Sequence, residues 1–254
     1  MSIKIIVSDL DGTLLRTDKT ISDHTVRVLE RCRERGIKFA FATGRPVHAT
    51  LKYQQRTSPD FVIADNGATI CRGGEFIRRL VIPAEMRDKL LAAFLASDEV
   101  DIVSMETGDY MYTNYDGPPW EVGWKTQYTD FSGGISADAM QISVDCANLD
   151  FVTNVMRDFP ELHLYSNHGM TWRQIMCRES TKANAVEYLC AQLGIKPENV
   201  AAFGDDYNDV DMIARAGSGV AIAGAIPEVK AAAKFVCGAN DDDGIARWIE
   251  EHVL

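Results

Sequence analysis

The sequence predicts an α/β protein with a doubly wound parallel sheet and an inserted α+β unit. Three observations support this fold class. In the first and last parts of the chain, short apolar segments alternate with helical segments, as they do in βαβ units. Each of these apolar segments near the N-terminus ends in a polar turn, which is where α/β proteins bind ligands. In the middle part, helices alternate with pairs of extended segments, a pattern typical of an antiparallel sheet.

The first element is a buried strand over residues 3–8, because an apolar and largely β-branched run ends there at the motif DLDGT (residues 9–13). Ser22 is a favourable N-cap for a helix that runs to about Arg35, and Gly36 follows in the position expected just past the helix end.

Two further strands end in polar turns. Residues 37–42 precede TGRP (43–46), whose proline suits the first turn of another helix. Residues 61–64 precede the turn DNG (65–67). Because parallel strands present their carboxyl ends at the same edge of a sheet, we expect all three turns to meet there.

The inserted unit is expected over residues 83–177, between the two parts of a catalytic core at 1–82 and 178–254. Its expected elements are a helix at 84–96, extended segments at 101–105 and 110–113, an aromatic loop at 115–124, a strand at 140–145, a helix at 149–158, and extended segments at 162–166 and 171–176.

The βα alternation resumes after Ser180. The expected elements are a helix at 181–193 followed by Gly194, a strand at 200–203, short strands near 218–222 and 234–236, and a last helix at 241–252.

Charge and composition limit the possible partners. The formal net charge is −11, from 26 Lys and Arg against 37 Asp and Glu, so the chain lacks the basic character that binds nucleic acid. No stretch approaches the ~18 apolar residues of a membrane span. The six cysteines are scattered without a CxxC pair, which fits a reducing compartment. We expect a soluble, cytoplasmic monomer or weak homodimer that binds neither nucleic acid nor membrane.

The motif DLDGT places two carboxylates, Asp9 and Asp11, at the end of a strand, where both point to one side. A carboxylate can attack phosphorus if a shared Mg²⁺ offsets its repulsion from the phosphate dianion. Asp9 is therefore a candidate nucleophile and Asp11 a candidate acid/base. The ordinary Asp pKa of roughly 3.9 should be raised at Asp11 by the negative charges of Asp9 and the phosphate. The alternative is a turn that only caps structure.

Phosphoryl transfer also requires hydrogen-bond donors, a cation and further metal ligands. Thr43 and the backbone amide of Gly44 can donate to phosphate oxygens at a helix N-terminus, and Lys182 can supply the cation. The segment GDDYND (204–209) follows a strand and is either a solvated helix start or a ligand-binding segment. Its candidate residues are Asp205, Asn208 and Asp209.

The motifs occur along the chain in the order DLDGT (9–13), TGR (43–45), Lys182 and GDDYND (204–209). In this combination the sequence resembles a haloacid dehalogenase (HAD) superfamily phosphatase of the Cof-type group, with a class IIB cap. Residues 65–68 also resemble the turn that precedes the cap in this family. The resemblance implies a HAD-like Rossmannoid core, bound Mg²⁺ and a phosphoaspartyl intermediate.

The resemblance also implies a role for each matched residue. Asp9 would be the nucleophile and Asp11 the acid/base, while Thr43 and Lys182 would hold the phosphoryl group. The implied Mg²⁺ ligands are the Asp9 carboxylate, the Asp11 backbone carbonyl and Asp205, with Asp209 acting through water or behind the ligands and Asn208 donating to the phosphate. One position departs from the family pattern, since Ala183 stands where Gly commonly follows the lysine, and a helix accepts Ala well.

Substrate selection is expected from the cap and from Arg45, which is either a substrate contact or a surface residue near a helix start. The aromatic loop could stack on a ring or form a lid, although a structural role is the favoured interpretation for each cap candidate. These candidates are Tyr115, Trp120, Trp124, His163, His168 and Arg173.

The predicted function is Mg²⁺-dependent hydrolysis of a small phosphorylated metabolite, such as a sugar phosphate, pyridoxal phosphate or a nucleotide. A non-catalytic phosphoacceptor would share Asp9, Thr43 and Lys182 but would not need Asp11, and a sugar phosphomutase would share the whole set. A dinucleotide-binding protein is set aside because no GxGxxG follows the first strand.

Overall fold

A computed structural model describes residues 2–118, 123–166 and 171–254 of the chain. Its N-terminal part contains β1 (Ile5–Ser8), α1 (Asp23–Glu34), β2 (Lys38–Ala42), α2 (Leu51–Thr57), β3 (Phe61–Ala64), β4 (Thr69–Arg72) and β5 (Glu75–Arg79). Ser22 caps α1 as predicted, because its Oγ accepts a hydrogen bond from the Thr25 amide at 3.0 Å. Pro46 lies one position earlier than predicted, just before a short 3₁₀ turn at Val47–Thr50.

The middle part contains α3 (Ala84–Leu95), β6 (Ile102–Glu106), β7 (Met111–Thr113), β8 (Thr126–Tyr128), β9 (Gln141–Asp145), α4 (Leu149–Met156), β10 (Leu162–Ser166) and β11 (Trp172–Cys177). These strands form a six-stranded sheet, here called the cap sheet, in the order β10-β11-β9-β6-β7-β8. Its pairs are antiparallel except for β7 and β8, which run parallel at one edge. The helices and strands predicted for this part are present, and the short strand β8 was not predicted. Residues 119–122 of the predicted aromatic loop lie outside the described residues.

The C-terminal part contains α5 (Lys182–Leu193), β12 (Val200–Gly204), α6 (Val210–Arg215), β13 (Ser218–Ala221), α7 (Pro227–Ala232), β14 (Phe235–Val236) and α8 (Gly244–His252). The last helix begins later than predicted. Asp243 adopts a left-handed conformation with φ 57°, which separates α8 from a 3₁₀ turn at Asn240–Asp242.

The two ends of the chain share an eight-stranded sheet, here called the core sheet, in the order β14-β13-β12-β1-β2-β3-β4-β5. Its strands run parallel from β14 to β3. Helices α1 and α8 pack on one face, and α5, α6 and α7 pack on the other. The predicted doubly wound parallel sheet is thus confirmed. From β1 the chain adds β2 and β3 on one side, and β12 and β13 lie on the other side, so the switch point is between β1 and β12, where such sheets bind ligands.

The antiparallel hairpin of β4 and β5 extends the core sheet and was not predicted. Its turn, Gly73-Gly74, has positive φ at both residues, 56° and 86°, as a tight two-residue hairpin turn requires. Within the described residues, no helix has both the length and the apolar character needed to cross a membrane.

The two faces of the cap sheet differ in chemistry, because successive side chains of a strand point to opposite faces. One face is apolar and packs against α3 and α4 through residues such as Val103, Ile142 and Ile175. The other face is polar. It carries Ser104 and Glu106 on β6, Gln141 and Ser143 on β9, and Trp172 and Gln174 on β11.

Candidate active site

Polar residues from separate strand ends meet at the carboxyl edge of the core sheet. Asp9 follows β1, Thr43 follows β2 and Asp205 follows β12, while Lys182 begins α5 on the adjoining face. The Asp9 amide donates to the Phe203 carbonyl at 3.0 Å, which fixes the end of β1 against β12. The structure therefore brings together the residues that the sequence motifs singled out.

Three carboxylates form a compact acidic group, here called the acidic trio: Asp9, Asp205 and Asp209. One oxygen from each lies within 4.8 Å of the others. Burial raises the pKa of Asp9 well above its ordinary value; the charge of Lys182 opposes this rise, and the neighbouring carboxylates add to it. Burial, followed by the charge of Asp209, raises the pKa of Asp205 to about 6. Such crowding of carboxylate oxygens suits a divalent cation with oxygen ligands.

The hydrogen bonds of Asp209 leave it unsuited to direct metal contact. Its Oδ1 accepts from Lys182 Nζ at 2.8 Å, and its Oδ2 accepts from the backbone amides of Asp205 and Asp206 at 3.0 and 3.2 Å. Asp209 therefore shapes the 205–209 turn. The remaining members of the trio, Asp9 and Asp205, fit the metal-ligand role that the resemblance implies for them.

Asp205 is held in place by the first motif. Thr13 Oγ1 donates to Asp205 Oδ1, and a Cβ atom on Gly12 would overlap the Asp205 carboxylate. Gly12 also has φ 82°, a conformation that favours glycine. The DLDGT turn thus needs glycine at position 12 for both reasons.

Lys182 is buried, with 1% of its side chain exposed, and forms ion pairs with Asp9 Oδ1 at 2.6 Å and Asp209 Oδ1 at 2.8 Å. Burial disfavours its ammonium charge, but Asp209 and Asp9 outweigh burial and raise the pKa of Lys182 above its ordinary value. The lysine is consequently a permanent cation beside the acidic trio.

Asp11 is paired with two cations. Arg45 donates to both of its oxygens, Nε to Oδ2 at 2.6 Å and Nη2 to Oδ1 at 2.8 Å, and Lys19 Nζ lies 2.7 Å from Oδ1. Burial would raise the pKa of Asp11, but the hydrogen bonds and charges of Arg45 and Lys19 lower it to about 2. The predicted rise, which depends on a bound phosphate, stays a prediction; in this structure the two cations that face Asp11 outweigh burial.

Arg45 is buried, with 9% of its surface exposed, and its guanidinium lies 5.5 Å from the centre of the Tyr53 ring. The interpretation of Arg45 as a surface residue is therefore wrong. Thr43 is also buried, and its Oγ1 accepts a hydrogen bond from the Arg45 amide at 3.1 Å. The 43–45 turn is thus held rigidly beside Asp11.

A cavity of about 340 Å³ opens over these groups. Its core lining consists of Asp9, Asp11, Thr43, Gly44, Arg45, Asp206, Asn208 and Asp209, and its cap lining consists of Trp124, Trp172 and Gln174. The polar face of the cap sheet therefore covers the strand ends of the core sheet. Sequence reasoning missed Asp206, Trp172 and Gln174, although alternation along β11 places Trp172 and Gln174 on one face.

None of the other cap candidates is among the described residues that line the cavity. Trp120 and His168 fall outside the described residues. Tyr115 and His163 do not line the cavity formed by the described residues, and the His163 ring packs against Tyr165 with ring centres 4.7 Å apart. Arg173 shares a face of β11 with Ile175, which packs against the cap helices rather than toward the core.

A second group of titratable residues is buried where the two sheets meet. His48 Nε2 lies 3.4 Å from Glu106 Oε2, and the Lys125 amide donates to His48 Nδ1 at 3.2 Å. Burial lowers the pKa of His48 and raises that of Glu106 to about 8. Burial and the charge of Glu106 raise the pKa of Asp65 to about 7. Burial thus disfavours the charged forms of both His48 and Glu106.

The chain matches the family model of haloacid dehalogenase-like hydrolases over residues 6–249. It is similar to the pyridoxal phosphate phosphatase YbhA of Escherichia coli, with 26% identity over 277 residues that cover 100% of each chain. It is also similar to the 5-amino-6-(5-phospho-D-ribitylamino)uracil phosphatase YitU of Bacillus subtilis, with 27% identity covering 98% of this chain and 97% of YitU.

Solved structures agree with these matches. The HAD subclass IIB sugar phosphatase BT4131 superposes with a TM-score of 0.82 and 26% identity, covering 98% of each chain. A haloacid dehalogenase-like hydrolase from Bacteroides thetaiotaomicron superposes with a TM-score of 0.87 and 26% identity, covering 98% of this chain and 99% of that one. The chain therefore belongs to the haloacid dehalogenase-like hydrolase family and is a phosphatase of that family.

Proposed function

We propose that the chain hydrolyses a small phosphate monoester through a phosphoaspartyl intermediate on Asp9. The observation that carries this proposal is the pairing of the buried Lys182 with Asp9 at 2.6 Å, where Asp9 lines a cavity together with Asp11 and Thr43. A nucleophilic carboxylate, a fixed cation and a second carboxylate are the groups that this chemistry requires.

In the first step, an Asp9 oxygen forms a bond to phosphorus and the bond from phosphorus to the leaving oxygen breaks. Lys182 holds Asp9 Oδ1 in a fixed orientation, and Thr43 and the Gly44 amide donate to the phosphoryl oxygens. When bound between Asp9 and Asp205, Mg²⁺ would lower the pKa of Asp9 and offset its repulsion from the phosphate dianion.

Asp11 supplies the proton that the leaving oxygen needs and, in the second step, takes a proton from the water that attacks phosphorus and releases Asp9. The ion pair with Arg45 keeps Asp11 ionised in the structure. We therefore propose that the phosphate dianion draws the Arg45 guanidinium away from Asp11, because a dianion competes for bidentate donors. Arg45 would thus join substrate binding. Asp11, left with Lys19 and next to the phosphate charge, would take up from solvent the proton that it then gives to the leaving oxygen.

The size of the cavity and its cap lining support a small substrate. A volume of about 340 Å³ is near the lower end of small-molecule sites, and two tryptophans suit a leaving group with an apolar face. We propose a phosphorylated metabolite of the size of a sugar phosphate or pyridoxal phosphate. Residues 83–177 would act as the cap domain, and residues 1–82 and 178–254 as the catalytic core.

The test is a screen of phosphorylated metabolites with and without Mg²⁺, on the wild-type chain and on Asp9→Asn. The proposal predicts metal-dependent phosphate release from at least one ester and its loss in Asp9→Asn. A phosphoacceptor would become labelled without turnover, and a phosphomutase would return the phosphoryl group to a sugar without releasing phosphate. Unreactive esters throughout, or an active Asp9→Asn variant, would contradict the proposal.

A further inference from the structure

The turn Asp65-Asn66-Gly67 follows β3 and packs against the segments proposed to hold phosphate. Its φ angles are 50°, 53° and 99°, so all of its residues are left-handed. The backbone amide of Asn66 donates to the Thr43 carbonyl at 3.0 Å, and the backbone amide of Asp65 donates to the Arg45 carbonyl at 3.0 Å. A Cβ atom on Gly67 would overlap the carbonyl oxygen of Thr181, the residue before Lys182.

The side chain of Asn66 is fully buried and connects the core to the cap sheet. Its Nδ2 donates to Gln141 Oε1 at 3.2 Å and to Gln174 Oε1 at 3.0 Å, both on the polar face of the cap sheet. Its Oδ1 accepts a hydrogen bond from Asn208 Nδ2 at 2.8 Å. Both hydrogens of the Asn66 amide group are therefore engaged by the cap, and its oxygen is engaged by the active-site segment.

This arrangement makes the orientation of Asn66 depend on the cap. The two glutamine oxygens attract the NH₂ end of Asn66, which leaves the oxygen end to face Asn208. If the cap sheet moves away, the Asn66 side chain loses two of its three hydrogen-bond partners, and only its 2.8 Å contact with Asn208 still orients it. The position of Asn208 is then held less firmly.

The cavity joins this chain of contacts at both ends. Gln174 and Asn208 both line the cavity, so a leaving group can touch Gln174 while the phosphoryl group lies near Asn208. The side-chain amide of Asn66 lies between Gln174 and Asn208. It also packs against the 43–45 turn, since a Cβ atom on Gly44 would come within 3.2 Å of both Asn66 Nδ2 and Oδ1.

We propose that Asn66 is a positioning residue that couples the seating of the cap, through Gln141 and Gln174, to the orientation of Asn208 toward phosphate. The inference rests on the proposed function, in which Asn208 donates to the phosphoryl group. Asn66 itself touches no substrate, and its effect passes through Asn208.

The test is a double-mutant cycle on the affinity for inorganic phosphate, measured by calorimetry with Mg²⁺ present. The variants are Asn66→Gly, Asn208→Ala and the pair of them. Glycine tolerates the left-handed φ at position 66, so the backbone of the turn is retained. Each single change should weaken phosphate binding about 10-fold, the worth of one charge-assisted hydrogen bond. The double variant should bind phosphate no more weakly than Asn208→Ala alone.

Further variants separate positioning from stability. Gln174→Ala removes one of the two cap acceptors that orient the Asn66 side chain, and it should weaken phosphate binding by less than Asn66→Gly does. The matched control is Asn114→Ala, which removes the Val103 amide's acceptor within the cap sheet at 2.8 Å. This control should lower the melting temperature and leave the phosphate affinity unchanged.

The inference would be overturned if the loss of phosphate affinity in the double variant equalled the product of the losses in Asn66→Gly and Asn208→Ala. It would also be overturned if the folded Asn66→Gly variant bound phosphate as tightly as wild type. The double-mutant cycle measures phosphate binding and the metabolite screen measures hydrolysis, so the two proposals can fail independently. A wild-type chain that hydrolyses no ester but shows the coupled phosphate binding would refute the proposed function alone. A wild-type chain that hydrolyses esters but shows independent effects would refute the coupling alone.

Discussion

Replacing Lys182 by Met removes the buried cation between Asp9 and Asp209 and retains a side chain of similar length. The lysine side chain is 1% exposed, and those of Asp9 and Asp209 are 8% and 1% exposed. The variant therefore buries two carboxylates without their partner. Breaking a buried ion pair in this way lowers the free energy of unfolding by about 3–5 kcal/mol. For a chain of this size the melting temperature should fall by roughly 6–20 °C without Mg²⁺.

The loss should depend on pH in a defined direction. Lys182 opposes the rise in the pKa of Asp9 that burial causes, so without Lys182 the folded-state pKa of Asp9 lies still further above its unfolded-state value. The stability that protonated Asp9 contributes is then present at low pH and lost as the pH rises through the raised value. The deficit relative to wild type should therefore be larger at about pH 7.5 than at about pH 5.

The assay is urea unfolding of both proteins at the two pH values in the presence of a chelator. Lys196→Met is the matched control, because Lys196 is 76% exposed and lies 3.9 Å from Glu198. Such an exposed pair contributes about 0–1 kcal/mol. A Lys182→Met variant as stable as wild type, or one with the same deficit at both pH values, would refute the account of the acidic trio.

Three further predictions concern stability and substrate selection. Glu106→Gln should leave stability near pH 4.5 almost unchanged and raise the free energy of unfolding as the pH approaches 8, by up to about 4 kcal/mol, because the folded-state pKa of Glu106 is about 8 and glutamine does not ionise. If the free energies of unfolding of Glu106→Gln and wild type changed in the same way with pH across that range, the prediction would be contradicted. Gly67→Ala should lower the free energy of unfolding by about 2–4 kcal/mol, since the new Cβ overlaps the Thr181 carbonyl. Gly73 also has positive φ but has no heavy atom within 4 Å of the added Cβ, so Gly73→Ala should lower it by only about 1 kcal/mol in the same denaturation assay. Equal losses would contradict the packing of the 65–67 turn. Trp172→Leu should raise KM about 5–10-fold with little change in kcat, because an indole in the cavity wall should contact the leaving group equally in the ground and transition states. Steady-state kinetics that show a loss in kcat alone would contradict this role.

The sequence was most informative where function and local structure impose the same residues. Asp9, Thr43 and Asp205 each follow an apolar strand, and parallel strands must present their ends at one edge. Ser22 was predictable as an N-cap because its hydroxyl bonds a backbone amide two or three residues away. In such cases the partner lies within a few residues or is fixed by the sheet.

The features that sequence reasoning missed depend on distant contacts. Arg45 and Asp11 are 34 positions apart, and nothing in the local pattern shows that the arginine would pair with Asp11. The contacts of Asn66 with Gln141 and Gln174 span 75 and 108 positions. They depend on how the cap sheet is placed over the core, which alternation along single strands cannot specify.

The central claim is that Asp9 becomes phosphorylated during turnover, and trapping the acyl phosphate tests it most directly. Wild type would be mixed with a substrate found in the metabolite screen, quenched in acid within one turnover, reduced with borohydride and analysed by mass spectrometry. The account predicts homoserine at position 9 in wild type only when substrate and Mg²⁺ are present, and its absence in Asp9→Asn. Phosphate release with the trapped group at another residue, or with no trapped group during a measurable burst, would contradict it.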